Sequence, residues 1–258
     1  MTETIIQSLW IGDNLSNLER LSIASFLANG HSYHLYIYNE VKGVPNGTII
    51  KDANSIIPES EIFTAFGGYA IFSDLFRWEL LYKTGNYWVD TDHICLRPFD
   101  FVEDVVFGKE EIHIANNGVL KFPAKHEFCR FMSDIAEDPH KLLPYDTEET
   151  KAKKLKRRSL KENPRANVGW GEAAGPLGFT AALKYFGLFD IGKTSSFFFP
   201  IHWSKWKSVF DENNDVKLFS DTYSIHLWNE NCRREPGFDK DASFPESSLF
   251  EQLKRKYL

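Results

Sequence analysis

The amino-acid sequence predicts an α/β protein with a mixed, mainly parallel sheet. Two observations lead there. Short apolar runs closed by turn residues alternate with helical patterns of about ten residues or more, which is the spacing of strand–helix–strand units. The most strongly patterned stretch, Phe72–Asp100 (FSDLFRWELLYKTGNYWVDTDHICLRPFD), reads as a helix, a glycine stop, a short aromatic-apolar strand and two aspartates one residue apart.

Taken in order, Ile5–Ile11 is an apolar run closed by Gly12, a buried strand. Ser16-Asn17-Leu18-Glu19 fits a capping box with Leu15 as its staple. Leu18, Leu21, Ile23, Phe26 and Leu27 then carry a helical face to a stop at Asn29-Gly30. His34–Tyr38 is a second strand, Pro45-Asn46-Gly47 a turn and Ile49-Ile50 a third short strand. In sheets of this kind ligands sit beyond the carboxyl ends of the strands, and Trp10 and Gly12 lie at one such end. The central helix takes Ser73 as N-cap and Gly85 as its terminal glycine. Glu79 and Lys83 form an i,i+4 pair on a solvated face. Asp74 and Arg77 lie one turn apart on the other side, among Leu75, Phe76, Trp78, Leu81 and Tyr82. Such a pair is either a buried structural ion pair or part of a site.

Beyond Asp100, Val105–Phe107 and Ile112–Ala115 read as strands, with Asn116-Asn117-Gly118 just past the second. His126–Ile135 and Gly175–Phe186 are helical, Phe197–Trp206 forms a strand and turn, and Tyr223–Trp228 is a last alternating strand. The stretch from Asp138 to Asn167 is the least globular. Within it Lys151–Lys161 holds seven cations in eleven residues. That is either a solvated helix or mobile loop, or a basic arm that meets an anionic membrane surface or a phosphate-bearing acceptor.

Composition bounds the answer. With 258 residues, 43% of them hydrophobic, one sizeable core forms, and the simplest division is a single domain over 1–258 with about 138–175 as an insertion. A net charge of −6 gives no global basic field for nucleic acid. Cys95, Cys129 and Cys232 make neither a disulfide framework nor a metal pattern, which favours a reducing compartment. The N-terminal stretch lacks the basic and apolar regions of a signal peptide, and no window approaches the roughly 18 apolar residues of a membrane helix. The expectation is a cytoplasmic protein, peripheral at the inner membrane face if the basic segment binds there.

The chemistry concentrates in Asp90-Thr91-Asp92. Residues i and i+2 of a strand point to the same side, so a strand ending near Val89 aims both carboxylates into one crevice. Two hard oxygen ligands suit Mg²⁺ or Mn²⁺, which keep positions open for phosphate oxygens. A bare DxD is a weak signal; after an aromatic-apolar strand that itself follows a glycine-stopped helix, it is much stronger.

Three runs now align with a known signature: Ser73-Asp74-Leu75-Phe76-Arg77, Leu80-Leu81-Tyr82-Lys83-Thr84-Gly85 and Trp88-Val89-Asp90-Thr91-Asp92. Together they resemble the DXD-containing sugar-transferase family, which includes yeast-type mannosyltransferases, the α-1,4-galactosyl- and α-1,4-N-acetylglucosaminyltransferases and the clostridial glucosylating toxins. Leu9-Trp10-Ile11-Gly12, Asn116–Phe128, Gly175-Pro176, Phe199–Trp206 and Ile225–Asn229 are similar to the α-1,4 group in the same order. Two positions depart from it: Gly85-Asn86 stands for the usual Gly-Gly, and Trp88 for a tyrosine.

The resemblance implies a GT-A type, Rossmann-like fold and a retaining, metal-dependent transfer from a UDP-sugar to a glycan or lipid-linked oligosaccharide. Galactose or N-acetylglucosamine leads as the sugar. Without a membrane anchor, the implied setting is bacterial lipopolysaccharide or capsule synthesis. Asp92 becomes the first metal ligand, and Asp90 a contact to ribose, sugar and metal. His226 alone reads as a core histidine, but by analogy it completes the Mn²⁺ or Mg²⁺ shell. Leu9 and Trp10 face the uracil. Ser73, Asp74, Arg77, Trp88 and Asn116 surround the nucleotide sugar, with Arg77 on phosphate. Trp203 and Trp206 make an acceptor platform or core, and Glu172 is the candidate for a carboxylate beside the anomeric carbon. Rival readings are a haloacid-type phosphatase, with the first Asp as nucleophile, and an inactive sugar-nucleotide-binding module.

Overall fold

The computed structural model describes residues 4–160, 162–212 and 216–258. The elements in chain order are β1 (Ile5–Trp10), α1 (Asn17–Ala28), β2 (Ser32–Ile37), β3 (Ile49–Asp52), α2 (Ala70–Thr84), β4 (Asn86–Val89), β5 (His93–Cys95), β6 (Val106–Glu111), β7 (Ile114–Phe122), α3 (Glu127–Glu137), α4 (Glu148–Arg158), α5 (Pro176–Tyr185), α6 (Ser195–Phe198), β8 (Ser224–His226), α7 (Asn229–Arg234) and α8 (Leu249–Tyr257). The larger sheet runs β3-β2-β1-β4-β7-β6, and a smaller one pairs β5 with β8. The expected α/β class with a mixed, mainly parallel sheet holds. Among the described residues no helix is long and apolar enough to cross a membrane.

The chain forms two compact units. The first takes Met1–Lys51, Val89–Val102 and Lys193–Leu258. In it β1 and β2 pair in parallel from Ile5↔Ser32 to Trp10↔Ile37, and β5 and β8 pair antiparallel, with His93 opposite His226. The α1 capping box is present, with Ser16 N–H donating to the Glu19 carboxylate at 2.8 Å. The helix stops where the sequence places it, at Asn29, with Gly30 at φ +82. A buried cluster joins α1 (Leu18, Leu21), β5 (Ile94), β8 (Ile225) and α8 (Phe250, Leu253), and Trp206 and Phe210 also belong to it. Burying one such side chain contributes about 1.5–3 kcal/mol.

The second unit takes Asp52–Trp88 and Glu103–Gly192. Trp78 of α2 is its aromatic hub, with ring centroids 6.0 Å from Phe122, 5.9 Å from Phe128 and 5.4 Å from Phe179. Its helix α2 begins three residues before Ser73, at Ala70, behind Tyr69, which supplies no side-chain cap. Ser73 is therefore inside the helix. The expected solvated pair is not one: Lys83 Nζ donates to the Ile56 carbonyl at 2.7 Å, and Glu79 accepts the Ser133 hydroxyl of α3. Gly85 ends α2 at φ +65, and a Cβ there would lie 2.5 Å from Ala124 N. Asn86 follows at φ +68. Asparagine tolerates this left-handed region far better than most residues, which accounts for Asn where the signature has a second glycine.

Strands β6 and β7 form a hairpin whose register slips between Phe107 and Gly108. Asn116 and Asn117 fall inside β7 rather than past it. The strand expected over Phe197–Trp206 is instead the short helix α6 and a 3-10 turn over Trp203–Val209. The aromatic run there is core filling rather than sheet.

Candidate functional site

In the first unit Asp90, Asp92 and His226 each offer one ligand atom, and these atoms lie within 4.8 Å of one another. The two aspartates are not on a strand. Strand β4 ends at Val89, and Asp90–His93 is a turn closed by His93 N–H donating to the Asp90 carbonyl at 3.2 Å. The turn, not strand alternation, brings the carboxylates together. Its entry is fixed from β1: Ser8 donates its hydroxyl proton to the Val89 carbonyl and sits 2.6 Å from Tyr33 Oη. A hydroxyl has one proton, so the Tyr33 hydroxyl donates to Ser8. Burial, with the Asp90 and Asp92 charges adding to it, raises the Tyr33 pKa well above its ordinary value.

Asp92 is buried and doubly held. Its Oδ2 lies 3.0 Å from His226 Nε2 and accepts the Asn229 N–H at 2.8 Å. The Asp92 carbonyl accepts the Leu227 N–H at 2.8 Å. Trp228 turns the chain between them in the left-handed conformation, φ +55, and its indole N–H reaches the Ile201 carbonyl at 2.9 Å. Burial alone would raise the Asp92 carboxyl; the charge and hydrogen bond of His226, with His93 and the Asn229 N–H, outweigh it and hold the pKa well below the usual range.

The donor set fits a hard divalent cation. Two carboxylates and an imidazole are competent ligands for Mn²⁺ or Mg²⁺. Buried polar groups are normally satisfied, and the Asn229 carboxamide oxygen beside them is buried without a hydrogen-bond partner. Trp10, at the end of β1, is partly buried, has a buried indole N–H without a partner, and lies under the Lys240 ammonium at 5.7 Å from its ring. Leu9 is buried. Trp203 is 48% exposed, while Trp206 is packed in the core against Phe210 and Phe238 and offers no face to a ligand.

The second unit holds the other expected residues. Asp74 and Arg77 are a buried ion pair at 3.3 Å. The guanidinium also donates to the Asn117 carbonyl at 2.6 Å and to the Ser73 carbonyl and hydroxyl, both at 3.3 Å, and it lies over the Trp88 ring at 5.0 Å. Arg77 thus faces protein groups. Trp88, 1% exposed, is its platform and not a surface for a sugar nucleotide. Asn116 is used within its hairpin, donating to Glu110 at 2.6 Å and accepting Gly118 N–H at 2.7 Å. Its neighbour Asn117 turns to α2 instead: it donates to Asp74 Oδ1 at 2.8 Å and to the Ala174 carbonyl at 3.1 Å. Successive strand residues face opposite sides, which is why Asn116 turns into its hairpin and Asn117 toward α2.

Glu172 is not placed as a carboxylate awaiting a substrate. It takes Lys153, Arg157 (2.6 Å) and the Gly169 N–H (2.9 Å). Burial would raise its pKa, but those bonds overcome it and bring it down to about 2. The basic segment is largely neutralised by such pairs: Lys151 with Glu148, Lys154 with Asp146 and Arg158 with Asp138 complete them. Lys161, its last residue, lies outside the described residues.

Residues 191–257 match the alpha 1,4-glycosyltransferase conserved region. That span contains His226 and Asn229 but not Asp90 and Asp92. The chain is 27% identical over 201 residues to the lactosylceramide 4-alpha-galactosyltransferase of Gorilla gorilla gorilla, covering 72% of this chain and 52% of that protein. The human protein of the same name is 26% identical over 201 residues, with 72% and 48% covered. The chain therefore spans about half the length of the curated relatives it matches. Among solved structures, PaToxG glycosyltransferase overlaps at TM-score 0.47 and 18% identity, covering 71% of this chain and 68% of that one.

Proposed function

We propose that the chain belongs to the α-1,4-glycosyltransferase family, whose conserved region residues 191–257 match, and that it is a retaining glycosyltransferase of GT-A type. Its donor is a UDP-sugar, with galactose or N-acetylglucosamine favoured, and its acceptor a hydroxyl of a glycan or lipid-linked oligosaccharide. The observation that carries this reading is the Asp90–Asp92–His226 group, the one set of at least three such side chains among the described residues suited to a divalent cation. A bound Mn²⁺ or Mg²⁺ would supply charge neutralisation for the departing diphosphate.

The chain's own residues do the rest. Asn229 N–H holds the Asp92 carboxylate in one orientation before a diphosphate arrives. The orphaned indole N–H of Trp10 supports its placement beside the uracil. Arg77 and Asn117 hold Asp74, the residue proposed to meet a sugar hydroxyl; Arg77 itself takes a supporting role instead of a phosphate contact. Trp203 remains the proposed acceptor face. With no carboxylate assigned beside the anomeric carbon, the proposed route is front-face attack, in which the leaving phosphate oxygen takes the acceptor proton and the protein contributes positioning.

The test is release of UDP from a panel of UDP-sugars with Mn²⁺ or Mg²⁺, which needs no acceptor. Hydrolysis of at least one donor is expected. Asp92→Asn should lower it by at least about two orders of magnitude, the effect of losing a few kcal/mol of charge stabilisation. Unchanged turnover in Asp92→Asn, or phosphate release from simple phosphoesters instead of UDP release, would refute the assignment.

A further inference from the structure

Among the described residues the rings of Trp228, Phe199 and His93 pack against His226, and of these His93 lies flat against it. Trp228 is tilted by 46° at 4.1 Å between centroids, and Phe199 meets it edge-on at 79° and 5.6 Å. His93 is parallel to within 2° at 4.4 Å. The two histidines are direct cross-strand partners on β5 and β8, close enough for their side chains to touch along their length.

His93 is itself fixed from several directions. It is fully buried, its carbonyl accepts the Ser22 hydroxyl at 2.6 Å, and its Nδ1 lies 3.1 Å from Ser224 Oγ. Ser224 and His226 are two apart on β8 and share a face. The His93 ring therefore spans both, stacked on one and hydrogen-bonded to the other. Phe199 closes the edge of His93 as well, at 5.4 Å and 78°. An aliphatic side chain would fill this position without the desolvation cost of a buried imidazole. A flat ring is what it cannot supply. The χ2 torsion of histidine is broad, so an imidazole is oriented by its neighbours. Turning the His226 ring would drive its edge into His93.

We infer that His93, tethered by Ser224, is a positioning residue that sets the ring plane in which His226 presents Nε2 to Asp92. The inference rests on the reading of Asp90, Asp92 and His226 as a divalent-cation group. Supports of this kind are worth roughly 10–100-fold in metal affinity.

The experiment is a Mn²⁺ titration of the full chain in the presence of UDP, followed by electron paramagnetic resonance, with the imidazole-nitrogen coupling to Mn²⁺ read by spin echo. His93→Leu fills the volume without a flat ring and should raise the Mn²⁺ Kd about tenfold, with a weakened nitrogen coupling. His93→Phe keeps the flat ring and should stay within about threefold of the wild type. A lowered Tm with unchanged Kd and coupling in folded His93→Leu would mean a merely structural residue and overturn the inference. So would a tenfold loss in His93→Phe. If His93→Leu does not fold, Ser224→Ala decides: about a threefold rise in Kd upholds the tether, and wild-type affinity overturns it. Failure of the underlying reading has its own signature. Wild type would then show no Mn²⁺ binding, or His226→Ala would keep both affinity and coupling.

Discussion

Arg77 decides what Asp74 can be. With its guanidinium on the Asn117 carbonyl, on Ser73 and over Trp88, it holds a carboxylate that is 8% exposed. Removing one partner of such a pair leaves a charge buried alone. Arg77→Leu should therefore cost about 3–5 kcal/mol in unfolding free energy, measured in urea, and Asp74→Asn added to it should recover much of the loss. Additive losses in the double variant would show that the pair is not coupled. At this scale the sequence was legible in kind but not in detail. The spacing of Asp74 and Arg77 identified a buried pair without choosing between structure and site. Asn117, His93, Ser224 and Asn229 carried no local signal, because the groups they bond lie far along the chain.

The elements show which local signals were enough. A capping box and an Asn-Gly stop fixed α1 at both ends, because those side chains complete the helix's own backbone groups. The start of α2 was missed because Tyr69 provides no such signal. Helix α4 read either as a solvated helix or mobile loop or as a basic arm, since charge can be counted in a sequence while its partners cannot. Glu172 braces this helix through Lys153 and Arg157. Its folded pKa, about 2, lies below the ordinary 4.5, so its contribution is complete above about pH 4.5 and is lost as pH falls toward 2. The Tm difference between wild type and Glu172→Gln should accordingly be largest near neutrality and close over that window. A difference constant with pH would show that the carboxylate's charge contributes nothing.

At the scale of the whole molecule, the first unit is threaded three times by the chain. Asp90 and Asp92 arrive with its second segment and His226 with its third, and the β5–β8 ladder sets His93 opposite His226 and so brings the segments together. The class of the fold was legible because strand and helix periods are local. The two carboxylates were legible as a cation pair from their place after a strand, but His226 joined them only through motif resemblance, since a DxD and a distant histidine carry no statement that they meet. Its proposed role makes one demand of the whole protein: a nucleoside diphosphate must bind through the cation. The direct test is calorimetric titration of UDP into the intact chain with Mn²⁺, with EDTA, and with Mn²⁺ in Asp92→Asn. Binding with Mn²⁺ that disappears in the other two is the predicted result. UDP binding of equal affinity in EDTA or in Asp92→Asn would contradict the assignment of Asp90, Asp92 and His226.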